Sequence, residues 1–396
     1  MKSYIGQVLP SLFNITGSTL YQTRGKETYS GLLFCPHVNG EFGVMHVSDE
    51  ISKDLGVSTA YYSGGEPKGW KRKEYLLVKR RIANEFKRNK IPFLVCTKAF
   101  GMGIDKPNIR YTIHFGVPLS IESFYQEAGR AGRNRKTAYC CIIVSNDDPE
   151  RSKKLLNPNT EVEEIYEIIR DLPREEKDDI TRALYFHTNA FRGITQEKQD
   201  IEEVLKYLGP ISKKGKRTLT IPDKIKEKIK EKKDIYGKAR NLAEKALHRL
   251  LLIGVVSDYT IEYSRDEFTV KLSGANKGEI IETYADYVAS YNYSRGQNEG
   301  KKASQFLHLP LKEFITAVVD LLLHFIYDVI ERGRKRALYE MLLACTTSST
   351  DRGIRGRILR HLEATEHSET LEQIITDENV GITKCKDLST SVRSPN

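Results

Sequence analysis

Four short apolar runs, separated by stretches of helical periodicity, constrain the fold of this chain more than any other feature. They are GLLFC at 31–35, IPFLVCT at 91–97, YTIHF at 111–115 and YCCIIV at 139–144. Each has the length of one strand and ends at Gly, Pro or polar residues. Between the first two runs, residues 68–90 carry ten Lys or Arg and two Glu, with Tyr75, Leu76, Val78, Ile82 and Phe86 near helical spacing. That pattern predicts a basic amphipathic helix. Strands alternating with such helices predict an α/β parallel sheet that starts at residue 31 and closes near 150–160. Residues 1–30 are mixed and rich in Ser, Thr and Gly, and read as a linker.

Beyond the sheet, residues 159–179 turn acidic with a helical pattern, which predicts a connector. Residues 213–233 then hold ten Lys or Arg against three acidic residues. A helix containing Leu242, Ala246, Leu247 and Leu250 follows, and YTIEY at 259–263 and FTVKL at 268–272 complete the region. A helix running into a two-stranded hairpin has the shape of a winged helix. Past residue 280 the pattern is largely helical. The segment 311–343 is apolar on more than one face and contains the basic run RGRKR at 332–336. No internal repeat is found.

The length of 396 residues predicts two or three domains, and 39% hydrophobic residues suffice to give each a core, which excludes disorder throughout. A net charge of +10 favours a polyanionic partner such as nucleic acid, although the same surplus also keeps a surface soluble. Cys35, Cys96, Cys140, Cys141, Cys345 and Cys385 show no CxxC spacing, so the expectation is a reducing compartment and no zinc site. The amino terminus lacks the pattern of a signal peptide. The most apolar stretch, 314–330, is interrupted by Asp320, His324 and Asp328, so no membrane span is expected.

The segment VCTKAFGMGIDKPNIR at 95–110 follows a predicted strand. Gly101 and Gly103 would let the backbone turn tightly near a ligand, and Asp105 brings a carboxylate to the same loop. Alone, this reads equally as an ordinary strand-to-helix turn. A second cluster, QEAGRAGR at 126–133, spaces Arg130 and Arg133 one helical turn apart among small residues. Two guanidinium groups facing one way suit phosphate chemistry; the bland alternative is a solvated helix face. Trp70 could stack on a base or pack in a core, and His114 reads as structural or interlobe. The basic tracts at 68–90 and at Lys213, Lys214, Lys216 and Arg217 could contact phosphate or simply be solvated.

Residues 31–148 resemble the second RecA-like lobe of superfamily 2 helicases, and most of all the RecQ family. The strand at 31–35 matches the motif opening this lobe, and AYYSGG at 60–65 resembles a Tyr-His-Ala-Gly segment, with Tyr62 and Ser63 in place of His and Ala. AFGMGIDKP at 99–107 follows the fifth helicase motif and residues 126–133 follow the sixth, the arginine-finger helix. The resemblance implies that Arg133 reaches the β/γ-phosphates of ATP, that Arg130 assists, and that Gln126 couples nucleotide state to lobe position. It implies cofactor contacts at Gly101, Gly103 and Asp105, the last beside the ribose, and DNA contacts at Thr97 and Lys98. Residues 183–193 and 247–259 resemble RecQ accessory regions more weakly. RecQ enzymes commonly insert a four-cysteine zinc subdomain there, whereas this sequence has no cysteine between Cys141 and Cys345. The family's wedge would fall in the hairpin at 264–266, which adds Arg265 to the DNA-binding candidates.

An ATPase of this class needs a GxxxxGK[ST] loop and an acidic pair for magnesium, and neither occurs in residues 1–396. The expectation is therefore the carboxyl-terminal half of a motor. Its architecture is an α/β RecA-like parallel-sheet lobe, a helical connector, a winged-helix-like domain and a helical carboxyl-terminal region. The corresponding boundaries are 1–30 (linker or interlobe segment), 31–150, 151–210, 211–278, 279–362 and a partly disordered tail at 363–396. The missing lobe would come in cis, from another subunit, or from nowhere. ATP and Mg2+ would act only in a completed two-lobe motor, and the isolated chain would be inactive. The implied partner is DNA, single-stranded or at a duplex junction, with 3′ to 5′ polarity. The implied setting is the cytoplasm, or the nucleoid in a bacterium. The alternative is a catalytically inactive DNA-binding or scaffold subunit that retains the lobe; a nuclease or transcription regulator lacks a defensible carboxylate or metal-ligand constellation.

Overall fold

The computed structural model describes residues 1–101, 105–227, 235–262, 267–347 and 354–357. After the short helices α1 (Leu9–Leu12) and α2 (Gly17–Leu20), the chain runs β1 (Ser30–Phe34), α3 (Val44–Leu55), β2 (Thr59–Tyr62), α4 (Arg72–Lys87), β3 (Phe93–Cys96), β4 (Ile109–Phe115), α5 (Ile121–Ala128), β5 (Tyr139–Ile143) and α6 (Pro149–Leu155). Helices α7 (Val162–Asp171), α8 (Asp179–Ala190) and α9 (Ile194–Tyr207) follow. Next come β6 (Gly215–Thr220), α10 (Asp223–Glu227), α11 (Ile235–Leu252), β7 (Val256–Glu262) and β8 (Glu267–Leu272). The chain continues through α12 (Lys277–Ala289), α13 (Tyr293–Ser304), α14 (Leu311–Phe325) and α15 (Arg332–Thr347).

The described residues form two compact units. The first takes Met1–Asn157, Ile168–Phe186 and the described residues from Arg334 on; the second takes Pro158–Glu167 and His187–Gly333. In the first, five strands pair in the order β2-β3-β1-β4-β5, and all four pairings are parallel. Both faces of the sheet are covered, as parallel sheets require. One face packs Leu33, Val95 and Ile113 against Val44, Val47 and Ile51 of α3, together with Ile5, Leu9 and Leu20. The other packs Leu32, Leu94 and Cys96 against Ile82 and Phe86 of α4. Gly31 stands beside Tyr111 in the register, and a Cβ there would lie 1.9 Å from the Tyr111 ring, so only glycine fits. Helix α5 begins at Ser120, whose side chain accepts a hydrogen bond from Ser123 N, and its Ile121 and Phe124 pack on Met341 of α15.

In the second unit, β6, β8 and β7 form an antiparallel sheet in that order. Leu219, Phe268, Val270 and Leu272 pack on Ala243, Leu247 and Leu250 of α11, with Val204 of α9 and Phe314 and Val318 of α14 in the same core. The order α9-β6-α10-α11-β7-β8 is winged-helix-like. The sequence showed its hairpin but not β6, whose burial is confined to Leu219 among Lys, Arg and Thr. The start of α12 is fixed by a capping box between Asn276 and Glu279.

Candidate functional site

Parallel strands deliver their loops to one edge, and the carboxyl ends of such strands are where ligands bind. Thr97 directly follows β3. Its N–H donates to Tyr62 O at 3.0 Å, and its hydroxyl accepts from Gly64 N at 3.3 Å. The 60–65 and 95–105 motifs are thus joined through backbone and hydroxyl. Lys79 of α4 braces the same turn: its Nζ donates to Gly64 O at 3.1 Å and lies 4.7 Å from the centre of the Tyr62 ring. Burial pulls its pKa below the usual lysine value. Lys98 is exposed on the 3-10 turn Lys98–Gly101, which follows Thr97. A cavity of about 500 Å³ opens at the ends of β1, β3 and β4, with Phe34, Phe115 and Phe186 as apolar walls and His37, Thr97 and Arg182 as polar points.

The arginine segment leaves its helix earlier than the spacing predicts. Helix α5 ends at Ala128, where Gly129 N donates to Tyr125 O at 2.8 Å. Arg130 and Arg133 therefore sit in turns and not on one helical face. Gly132, at φ +74°, closes the turn by donating its N–H to Ile109 O at 2.9 Å. Sterics disfavour other residues at that φ. Arg133 then reaches back to the preceding motif, its Nη1 2.9 Å from Asp105 Oδ1. Gln126 is exposed on α5.

Arg130 has a different environment. Its Nε is buried with no hydrogen-bond partner among the described residues. Burial, and then the Arg133 charge, lower its pKa from the usual arginine value, while Cys96 and Glu127 oppose that change. Glu127 accepts from Ser123 Oγ at 3.2 Å, and its other oxygen lies 3.1 Å from His114 Nε2, off the line of a hydrogen bond. His114 is thus buried beside a carboxylate within the lobe. Asp105 and Arg133 are by contrast well exposed, with 82% and 42% of their side-chain surface accessible. A pair so exposed is worth about 0–1 kcal/mol, so Arg133 can exchange Asp105 for another anion at little cost.

Lys106, next to Asp105, is only 2% exposed. Its ammonium donates to Asn89 Oδ1 and lies 5.0 Å from the centre of the Phe86 ring. Burial brings its pKa down to about 8. Nothing in the sequence singles this residue out, because a lysine after a loop aspartate reads as solvated. Trp70 donates from Nε1 to Tyr61 Oη at 3.0 Å and packs 5.8 Å from Tyr75, which makes it part of the lobe's wall.

In the second unit Lys213, Lys214 and Lys216 are exposed and Arg217 is half-buried. Lys216 and Arg217 are consecutive on β6 and so point to opposite faces. Arg217 Nη1 donates to the carbonyl of Lys216 at 3.0 Å. The four cations therefore do not share a surface. Gly103 and Arg265, with the rest of the hairpin tip at 264–266, lie outside the described residues, as does the tail at 363–396. Among the described residues no group of His, Cys, Asp and Glu is placed to hold a metal, and no helix is long and apolar enough to cross a membrane.

Residues 15–135 match the family model described as helicase conserved C-terminal domain. The "Probable ATP-dependent DNA helicase RecS" of Bacillus subtilis is 33% identical over 153 residues, 38% of this chain and 29% of that protein. The ATP-dependent DNA helicase RecQ of Haemophilus influenzae is 35% identical over 127 residues, 32% of this chain and 19% of its own length. The chain thus spans less than a third of the length of these relatives. Among solved structures, the E. coli DEAD-box protein SrmB bound to regulator of ribonuclease activity A aligns over 36% of this chain and 71% of that one, with 18% identity and a TM-score of 0.26. Part of the chain is homologous to RecQ-like helicases of superfamily 2.

Proposed function

We propose that this chain provides the second RecA-like lobe and DNA-binding surfaces of an ATP-dependent 3′–5′ DNA helicase or translocase, completed by a first lobe in cis or in trans. The observation that carries this reading is the arginine turn: among the described residues Arg133 is held only by an exposed ion pair to Asp105, and Arg130 beside it keeps a buried Nε with no partner there. An orphaned guanidinium donor next to a releasable one fits the oxygens of a polyphosphate. Arg133 would act as the finger on the terminal phosphates, Arg130 would steady it, and Gln126 would report nucleotide state to the lobe interface. Asp105 would leave Arg133 for the ribose, with Gly101 and Gly103 shaping the loop. Bound ATP with Mg2+ would supply the phosphoryl group to be cleaved. This chain's part is to place positive charge where negative charge develops, and only when the two lobes close.

On the DNA side, Thr97 and Lys98 would meet a strand phosphate at the carboxyl edge of the sheet. The winged-helix-like region, with Lys213, Lys214, Lys216, Arg217 and Arg265 as candidates, would grip duplex or junction. The deciding experiment measures DNA-stimulated ATP hydrolysis by the chain together with a first lobe. Turnover that rises with DNA and disappears in Arg133→Ala, at unchanged DNA affinity, supports the reading. A completed assembly that binds ATP and DNA without turnover rejects it in favour of an inactive DNA-binding subunit.

A further inference from the structure

Helix α4 turns Tyr75, Ile82 and Phe86 into the lobe and tucks Val78 partly behind them. Its far side carries two parallel rows at i, i+4 spacing, Arg72-Leu76-Arg80 and Lys73-Leu77-Arg81. Residues so spaced are neighbours on a helix surface. The rows therefore form a small grid, with two leucines in the middle and a cation at each corner. Leu76 is 46% and Leu77 68% exposed, and all four cations are exposed. None of the four makes an ion pair or side-chain hydrogen bond among the described residues; the nearby Lys71 and Glu74 face each other at 3.9 Å.

A solvated basic face has no use for two adjacent leucines in its centre. Nor does a nucleic-acid backbone suit the grid, because leucine cannot stack on a base and phosphates set over it would bury no apolar surface. Apolar centre and cationic corners match a ligand with the inverse pattern. We propose that this face docks an acidic amphipathic peptide segment of a partner protein. Its apolar side chains would sit on Leu76 and Leu77, and its carboxylates would meet Arg72, Lys73, Arg80 and Arg81. Helix-on-helix docking of this kind reads as anchors at i, i+3 and i+4, and the corner charges fix register and weaken with salt. This surface is separate from the arginine turn and from Thr97, and does not depend on the helicase reading.

The test uses fluorescence anisotropy with the full chain and a labelled helical peptide repeating Glu around Leu at i, i+4, with a Gln-for-Glu peptide as control. Saturable binding is expected, weakened about tenfold or more by Leu77→Ser, by Arg80→Glu with Arg81→Glu, and by the Gln peptide. All three changes are on exposed positions, and thermal melts would show the fold retained. Absence of saturable binding, or equal affinity for wild type and variants, overturns the proposal. Displacement of the peptide by single-stranded DNA assigns the grid to nucleic acid, and leucine-dependent binding to phosphatidylserine vesicles in place of the peptide assigns it to a membrane surface; either outcome also overturns it.

Discussion

The cations of the two units are presented by opposite kinds of backbone. In the first unit, Arg130 and Arg133 sit on a turn held by Gly129 and Gly132, and the turn bonds back to Ile109 of the neighbouring strand. Asp105 and Thr97 come from the loop after β3, so residues distant in sequence converge. In the second unit Lys216 and Arg217 lie on β6, an edge strand whose alternation parts them, and Lys213 and Lys214 precede it. A turn concentrates charge on one point, whereas a strand spreads it over two faces. Charge on an edge strand also has a plainer use, since it discourages pairing with another chain. The same residue type therefore carries a focused chemical meaning in one place and a diffuse one in the other.

The largest test of this contrast is Arg133→Ala in a completed assembly. DNA-stimulated hydrolysis should fall by about 10³ or more, with DNA affinity within about twofold. Loss of DNA binding with normal turnover would place Arg133 on the wrong partner. Gly31→Val should drive a side chain into the Tyr111 ring and destabilise the first unit by roughly 1–3 kcal/mol. Differential calorimetry should show an earlier transition, while the second unit's DNA contacts survive; an unshifted melt would mean that Tyr111 moves aside freely. On β6, Lys216→Ala should lower the salt slope of DNA binding by about 0.9, the value of one lost phosphate contact, and Arg217→Ala, on the half-buried face, should lower it by less. Equal effects would mean that the strand's two faces are not distinguished by DNA.

Two smaller effects probe the loop itself. Lys106 has a folded pKa of about 8, below its unfolded value, so between pH 8 and 10 the unfolded chain binds more protons. Stability should rise with pH across that window, and Lys106→Met should remove the rise; denaturant melts at several pH values give the comparison. Asp105→Asn should change stability by less than about 1 kcal/mol in urea melts, because its pair with Arg133 is exposed. A larger loss would make the pair a structural tie.

Four strands of the parallel sheet were legible because their apolar runs, as in GLLFC and FLVC, alternate with amphipathic helices, whereas β2 was not, since its four residues TAYY are only half-buried and too short to stand out as a run. The winged-helix-like hairpin was legible from its two apolar runs. Strand β6 was hidden because Lys216, Arg217, Thr218 and Thr220 leave only Leu219 to announce a buried face. Motif spacing selected Arg130, Arg133 and Asp105, but could not show that the helix stops before the arginines, since a glycine that ends a helix and one that helices pack against look alike in sequence. Nor could it reveal Lys79 on Gly64 or the burial of Lys106, because both depend on contacts made across the fold. Residues before β1 bury Ile5, Leu9 and Leu20, which are too widely spaced to form one apolar run.

Met341 of α15 lies against Ile121 and Phe124, the apolar side of the helix from which the arginine turn departs. Between these partners the ribosome must make the whole of 187–333, which belongs to the other unit. Synthesis therefore sets an order: the sheet can close early, but α5 is backed on that side only after residue 341 has been made. A nascent chain would hold the arginine turn incompletely supported until α15 emerges, and a truncation before α15 would show itself as a fault in a helix encoded far upstream.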